Sequence, residues 1–276
     1  MPELPEVETV RRTLLPHVVG QRIAQVVVSQ PSLRWPVDVK NLCRRIRGRR
    51  VLDIRRRAKY LLFDVEGDSV MAVHLGMSGQ LGLSLAPTPA RLHDHVVLTL
   101  EDGRQLRLND PRRFGSVDAF DRMSEAAHPR LAHLGAEPLD AEQFDGARLF
   151  AASRRLHKPI KNFLMDATRI VGVGNIYACE ALFAAGIHPN LPAGRLSRPQ
   201  ATRLAACIVT VLQAAIAQGG TTLRDFADGL GHAGCFKVQL HVYGREAEPC
   251  VQCARPVRRQ VQAGRSTFYC PTCQRR

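Results

Sequence analysis

The sequence predicts an α+β, multi-domain chain. A helix at the amino end leads into a sandwich or barrel of short strands; a helical domain follows, then a small metal ribbon. Three observations predict it. Short β-rich runs separated by turn signals fill the chain up to about residue 125. Helical periodicity replaces them beyond that point. Two Cys-x-x-Cys pairs lie near the carboxyl end. The expected boundaries are 1–125, 126–235 and 236–276.

Over 5–18, Val7, Val10, Leu14 and Val18 recur at helical spacing until Gly20 ends the pattern. Strand signals then follow at 23–29, 51–57, 60–65, 69–75, 96–100, 105–108 and 116–120. Turns such as Glu66-Gly67-Asp68 and Glu101-Asp102-Gly103 separate them. Strands that succeed one another without helices form a sandwich or a barrel. Segment 85–91, with Pro87 and Pro89, reads as a loop. Helices are expected at 141–153, 160–167, 175–185 and 199–218. The last is the clearest: Ser197 and Gln200 make a capping-box pattern, Pro199 sits in the first turn, and Gly219-Gly220 ends it.

With 276 residues, 45% of them apolar, the chain has the composition of a folded globular protein. It has no uninterrupted apolar run of the roughly 18 residues that a membrane span needs, so no membrane span is expected. The amino end lacks a basic-then-apolar signal, which predicts a cytoplasmic protein. A net charge of +14 and a pI near 10.1 favour a polyanionic partner, nucleic acid or an acidic membrane surface. Of 39 basic residues only five are lysines: Lys40, Lys59, Lys158, Lys161 and Lys237. Arginine grips phosphate with a planar fork and stays charged when desolvated.

The eight cysteines fall into two groups. Cys43, Cys179, Cys207 and Cys235 are scattered, whereas Cys250, Cys253, Cys270 and Cys273 form two knuckles with 16 residues between them. In a reducing compartment that spacing means metal rather than disulfides. Four thiolates around one ion at about 2.3 Å make the closed tetrahedral site of structural zinc, with no open position for catalysis. Iron or a redox dithiol is the lesser alternative. The segment 236–276 carries a net charge of +6, so the zinc reads as the scaffold of a basic hairpin that grips phosphate. A solvated charged face is the bland alternative.

Val171-Gly172-Val173-Gly174-Asn175-Ile176-Tyr177 joins two expected helices. Its glycines admit a ligand close to the backbone, and N–H groups at a helix start attract anions. A tight interhelical turn explains the motif equally well. A mononucleotide-binding fold is excluded, because a helix rather than a strand precedes the turn.

The chain begins Met1-Pro2-Glu3-Leu4-Pro5-Glu6. Removal of Met1 would leave a secondary amine on a rigid ring, next to the Glu3 carboxylate. At pH 7 roughly a tenth of an α-amine is free base, against well under ~0.1% of a lysine. Such an amine is a nucleophile toward carbonyl-like carbon. Alone, the same residues read as a stiff leader that caps a helix.

Together with this start, six further blocks resemble the formamidopyrimidine-DNA glycosylase family from Pro2 to the last zinc cysteine. They are Arg57-Ala58-Lys59-Tyr60, His74-Leu75-Gly76-Met77-Ser78-Gly79, Asp110-Pro111-Arg112-Arg113-Phe114-Gly115, the glycine turn through Ala178, Gly219-Gly220-Thr221-Thr222 and Val242-Tyr243-Gly244-Arg245. The resemblance implies an N-terminal helix on a β-sandwich, a helix–two-turn–helix domain and a zinc finger. It implies a monomeric, bacterial, cytoplasmic enzyme that excises 8-oxoguanine and formamidopyrimidines from duplex DNA, then cleaves the strand by β,δ-elimination. It assigns Pro2 as nucleophile, Glu3 to proton transfer, Lys59 to β-elimination and Arg265, in the hairpin turn, to δ-elimination and phosphate binding; Glu6 lies close enough in sequence to be a lesser candidate for the proton transfer. It assigns Asn175, His93, Arg112 and Arg155 to DNA contacts, Arg155 by the loosest alignment. Met77, Arg112 and Phe114 would fill the hole left by the flipped nucleotide. One zinc ion would sit on Cys250, Cys253, Cys270 and Cys273. The segment 228–236 corresponds to a loop that closes over the flipped base, although relatives often carry an aromatic where Cys235 stands.

Two other readings compete. An endonuclease VIII-like glycosylase for oxidised pyrimidines shares the Pro-Glu start and the zinc finger, but usually begins PEGPE and lacks the Met77, Arg112 and Phe114 set. A non-catalytic DNA-binding zinc protein would need neither Pro2, Glu3 nor Lys59.

Overall fold

A computed structural model describes residues 2–84, 89–219 and 240–275. The chain divides into two compact units, Met1–Ala132 with Gln218–Lys237, and His133–Ala217 with Val238–Arg276.

The first unit opens with α1 (Leu4–Val18), whose Leu4, Val7, Val10, Leu14 and Val18 are all buried, as the helical spacing requires. Among the described residues eight strands follow: β1 (Ile23–Val28), β2 (Val51–Arg57), β3 (Tyr60–Val65), β4 (Ser69–His74), β5 (Gln80–Ser84), β6 (Asp94–Leu100), β7 (Gln105–Asn109) and β8 (Ser116–Asp121). They form two antiparallel four-stranded sheets, ordered β1-β6-β7-β5 and β2-β3-β4-β8. The alternative of sandwich or barrel thus resolves to a sandwich of two separate sheets, which meet where β1 and β2 begin, at the Arg22–Arg50 bridge. One apolar core joins both sheets with α1 and a short helix α2 (Val39–Ile46).

α2 and β5 were not legible as elements. α2 buries only Leu42 and Ile46, a single i,i+4 pair, although Asp38 caps it by accepting the Asn41 amide at 2.9 Å. β5 contains Gly82 and gains its strand character from pairing with β7. A 3₁₀ turn at Arg122–Ala127 was likewise unforeseen.

The second unit holds α3 (Gly146–Ser153), α4 (Ile160–Leu164), α5 (Asn175–Ala184), a 3₁₀ turn (Ala193–Arg195) and α6 (Arg198–Ala217). α3 starts five residues later than expected because Asp145 caps it, accepting the Arg148 amide at 2.7 Å. α4 stops early because Asp166 draws the Thr168 amide and hydroxyl onto its carboxylate, at 3.1 and 2.7 Å. The capping box of α6 forms as expected: the Ser197 amide donates to Gln200 Oε1 at 2.9 Å, and the Gln200 amide to Ser197 Oγ at 3.3 Å. By length and composition alone α6 passes the test for a membrane-crossing helix, although polar residues interrupt its apolar run. Its apolar face, from Ala201 through Ile216, packs on α3 and α5, the arrangement of a core helix.

The ribbon hairpin pairs β9 (Arg258–Gln262) with β10 (Arg265–Tyr269). Ala263 and Gly264 form its two-residue turn, both in the left-handed region at φ 48° and 72°. Val242, Val257, Phe268, Cys250 and Cys270 pack against Cys179 and Phe183 of α5. Thr221, Thr222, the expected closing loop 228–236 with Cys235, and Lys237 lie outside the described residues, as do 85–88 of the expected loop.

Candidate active site and metal centre

Pro2 and Glu3 lie buried immediately before α1. The helix begins here for local reasons. Pro5 occupies the first turn, where no amide donor is needed. Glu3 and Glu6 form a reciprocal capping box in which the Glu3 amide donates to Glu6 Oε2 at 2.8 Å. Glu6, weighed as a second proton carrier, is therefore a fully buried cap that fixes the Pro2-Glu3 backbone.

Two contacts give the register of α1 on β2. Arg11 Nη1 donates to the Ile54 carbonyl at 3.1 Å, and Arg56 pairs with Glu8 at 3.3 Å. Three residues toward the helix start thus correspond to two residues toward the end of β2. Continued at about 1.5 Å per helical residue and about 3.3 Å per strand residue, this register runs the amino end of α1 toward the β2–β3 turn. That turn is Ala58-Lys59, closed by the Arg57–Tyr60 pair. Ala58 has a φ of 54°, a conformation that costs a non-glycine residue energy, and it sets the direction in which Lys59 leaves the sheet.

His74, at the end of β4, pairs across the sheet with Tyr60, their rings 4.7 Å apart. Burial, then the charges of Lys59 and Arg34, lower its pKa to about 4. Its Nδ1 accepts the Gly76 amide at 3.0 Å, so the neutral ring carries its proton on Nε2.

Two loops carry the three side chains expected to enter DNA. Met77 and Phe114 are large apolar residues left 42% and 41% exposed, the opposite of core packing. Arg112 lies over the Phe114 ring at 4.9 Å. The loops touch through backbone: a Cβ on Gly76 would lie 2.3 Å from the Phe114 carbonyl carbon, and Gly76 has a φ of 63°. His93 is half-buried with a φ of 75°, its carbonyl accepting the Asp110 amide at 3.0 Å.

In the second unit the glycine turn brings Asn175, the first residue of α5, against the ribbon. Its Nδ2 donates to the Ser266 carbonyl at 3.0 Å, which holds it beside Arg265. A second contact, to Tyr243 Oη, is long at 3.5 Å and leaves that N–H the freer. Asn175 Oδ1 is buried without a partner. Arg265 is exposed and is the first residue of β10, paired with Gln262, rather than part of the turn itself. Arg155, exposed at φ 60°, follows α3; no described contact joins it to Asn175 or Arg265.

Several residues here carried a sequence signal that pointed to no role. Lys161, one of the five lysines, is fully buried and donates to Thr267 Oγ1 at 2.7 Å, tying α4 to the hairpin. Glu180 accepts the His241, Val242 and Tyr243 amides at 2.8–3.0 Å and so anchors the approach to the ribbon. His74, Ser78 and Asp110 lay inside recognised blocks.

The sulfurs of Cys250, Cys253, Cys270 and Cys273 all lie within 4.8 Å of one another. Tetrahedral zinc with bonds of about 2.3 Å sets sulfurs about 3.8 Å apart. The Cys250–Cys273 and Cys253–Cys270 separations of 3.9 and 3.5 Å fit that geometry. Amides of Gln252 and Cys273 donate to Cys250 and Cys270 sulfur at 3.4 and 3.5 Å, which fixes where those two sulfurs point. The four cysteines form a closed structural zinc site.

Sandwich, helical module and four-cysteine ribbon together define a class of modular, basic zinc proteins. Family models match the chain in three places: the formamidopyrimidine-DNA glycosylase N-terminal domain over residues 1–117, the H2TH domain of that glycosylase over 134–227, and a zinc finger found in FPG and IleRS over 247–276. The chain is 52% identical over 275 residues to a formamidopyrimidine-DNA glycosylase of Syntrophotalea carbinolica and 50% identical to one of Thioalkalivibrio sulfidiphilus, each alignment covering 100% of both proteins. Among solved structures it resembles Lactococcus lactis Fpg in complex with abasic-site DNA (TM-score 0.91, 34% identity, 99% and 100% coverage). It also resembles the Thermus thermophilus MutM (Fpg) protein (TM-score 0.88, 44% identity, 99% and 98% coverage). The chain belongs to the formamidopyrimidine-DNA glycosylase family.

Proposed function

We propose that the chain is a base-excision-repair DNA glycosylase and abasic-site lyase that removes 8-oxoguanine and formamidopyrimidines from duplex DNA. With Met1 removed, the Pro2 nitrogen attacks C1′ of the damaged nucleotide and the base departs as the C1′–N bond breaks. Glu3 passes a proton to the sugar-ring oxygen as the ring opens, leaving an iminium on Pro2. The iminium acidifies the C2′ proton, whose loss expels the 3′ phosphate, and a second elimination expels the 5′ phosphate. Lys59 serves the first elimination and Arg265 the second. Asn175, His93, Arg112 and Arg155 hold the DNA, and Met77, Arg112 and Phe114 fill the vacated stack. The zinc is structural and holds the basic hairpin in shape. The modules divide near residues 125 and 235, and the protein acts as a monomer in the bacterial cytoplasm.

The observation that supports this reading most is the register of α1, which runs the Pro2 end of the helix toward the Lys59 turn. Borohydride reduction in the presence of 8-oxoguanine duplex tests it. The wild type should give a covalent protein–DNA adduct, and Pro2→Gly should be crippled in strand cleavage while still binding DNA. Normal lyase activity in Pro2→Gly would exclude Pro2 as the nucleophile. Parallel assays on 8-oxoguanine:C and thymine glycol:A duplexes separate purine from pyrimidine repair.

A further inference from the structure

Asp110 is fully buried, and its polar atoms reach every loop that carries an expected DNA-entering side chain in the first unit. Its Oδ1 accepts the Ser78 hydroxyl at 2.7 Å, one residue after Met77. Its Oδ2 accepts the Gly115 amide at 2.6 Å, one residue after Phe114. Its carbonyl accepts the Arg113 amide at 3.1 Å and meets His95 Nε2 at 2.9 Å, and its own amide donates to the His93 carbonyl. Gly115 in turn accepts the Arg34 amide at 3.1 Å. The approach is close because Gly115 has no side chain: a Cβ there would lie 3.0 Å from Asp110 Oδ2 and 2.9 Å from the His74 carbonyl.

We propose that Asp110 is the positioning residue that fixes Met77, Arg112 and Phe114 as one preordered group, with His93 beside them. This role rests on the reading of those side chains given above. Two exposed loops would each lose conformational freedom on entering a duplex, at about 1–2 kcal/mol per backbone residue. A buried carboxylate that accepts from both loops meets that cost during folding instead. Both of its oxygens take hydroxyl and amide donors rather than a guanidinium. Such bonds are directional, so they set where the loops lie relative to each other, whereas a bare ion pair would constrain them less.

The test uses full-length Asp110→Ala and Ser78→Ala proteins on two substrates. One is a duplex with 8-oxoguanine opposite cytosine and 2-aminopurine beside the lesion. The other is a single-stranded oligonucleotide with a preformed abasic site, where no stack has to be opened. Asp110→Ala should slow single-turnover excision from the duplex and the 2-aminopurine signal of base eversion together, by about 10- to 100-fold, the range carried by a hydrogen bond to a charged acceptor. Ser78→Ala should show a smaller loss of the same kind, since the Gly115 bond remains. Both variants should keep single-strand cleavage within about twofold of the wild type. Wild-type eversion in either variant would overturn the proposal, as would equal losses on both substrates. If Asp110→Ala does not fold, Ser78→Ala decides by the same split. A wild-type protein that gives no borohydride adduct would instead sink the underlying enzymatic reading, and this one with it.

Discussion

At the scale of single residues, His74 shows how three neighbours tune one side chain. Burial disfavours its charged form, the cations Lys59 and Arg34 disfavour it further, and the Gly76 amide occupies the nitrogen that a proton would need. Its pKa therefore lies near 4 instead of 6.5. Because the folded value is lowered, the unfolded chain takes up the proton first. The contribution to stability is complete above pH 6.5 and is lost as pH falls toward 4, by about 3 kcal/mol. A urea-midpoint series from pH 7 to pH 4 on wild type and His74→Gln should show this slope only in the wild type. Lys59→Met should raise the His74 value, readable in an NMR titration of its ring; an unmoved value would mean that Lys59 points elsewhere. The zinc cysteines were legible from spacing alone. Asp110 was not, because an aspartate next to a proline reads as a turn residue until its burial is seen.

At the scale of elements, α1 and α6 announce themselves through caps and periodicity, and both form close to their expected bounds. α2, β5 and the shortened α3 and α4 do not, because their limits depend on a capping aspartate or on a partner strand. The β9–β10 hairpin has little core of its own and borrows it from α5. Its remaining order comes from zinc, whose binding free energy in such ribbons is folding free energy. Chelation should therefore unfold 250–273, measured as loss of amide protection there, while α6 stays protected. DNA affinity should fall in parallel, because Arg265 is carried by that hairpin. Normal DNA binding by the chelated protein would show that the ribbon has no part in it.

At the scale of the whole molecule, the net charge of +14 implies binding governed by counterion release. With about six phosphate contacts, log K against log[salt] should slope near −5. A fluorescence-anisotropy series from 50 to 200 mM salt (roughly the range where such slopes are read) would measure it. A flat response would remove the case for a backbone-gripping surface.

Spacing along the chain was enough to determine the zinc ligands, the Pro-Glu start, the main helices and the order of the parts, since each is carried by residues a few positions apart. Tertiary structure alone decided that His74 is neutral, that Lys161 braces the hairpin and that Asp110 joins two loops. The Ser78–Asp110 and Lys161–Thr267 bonds join residues 32 and 106 positions apart, and local patterns do not record which distant partner a side chain will meet.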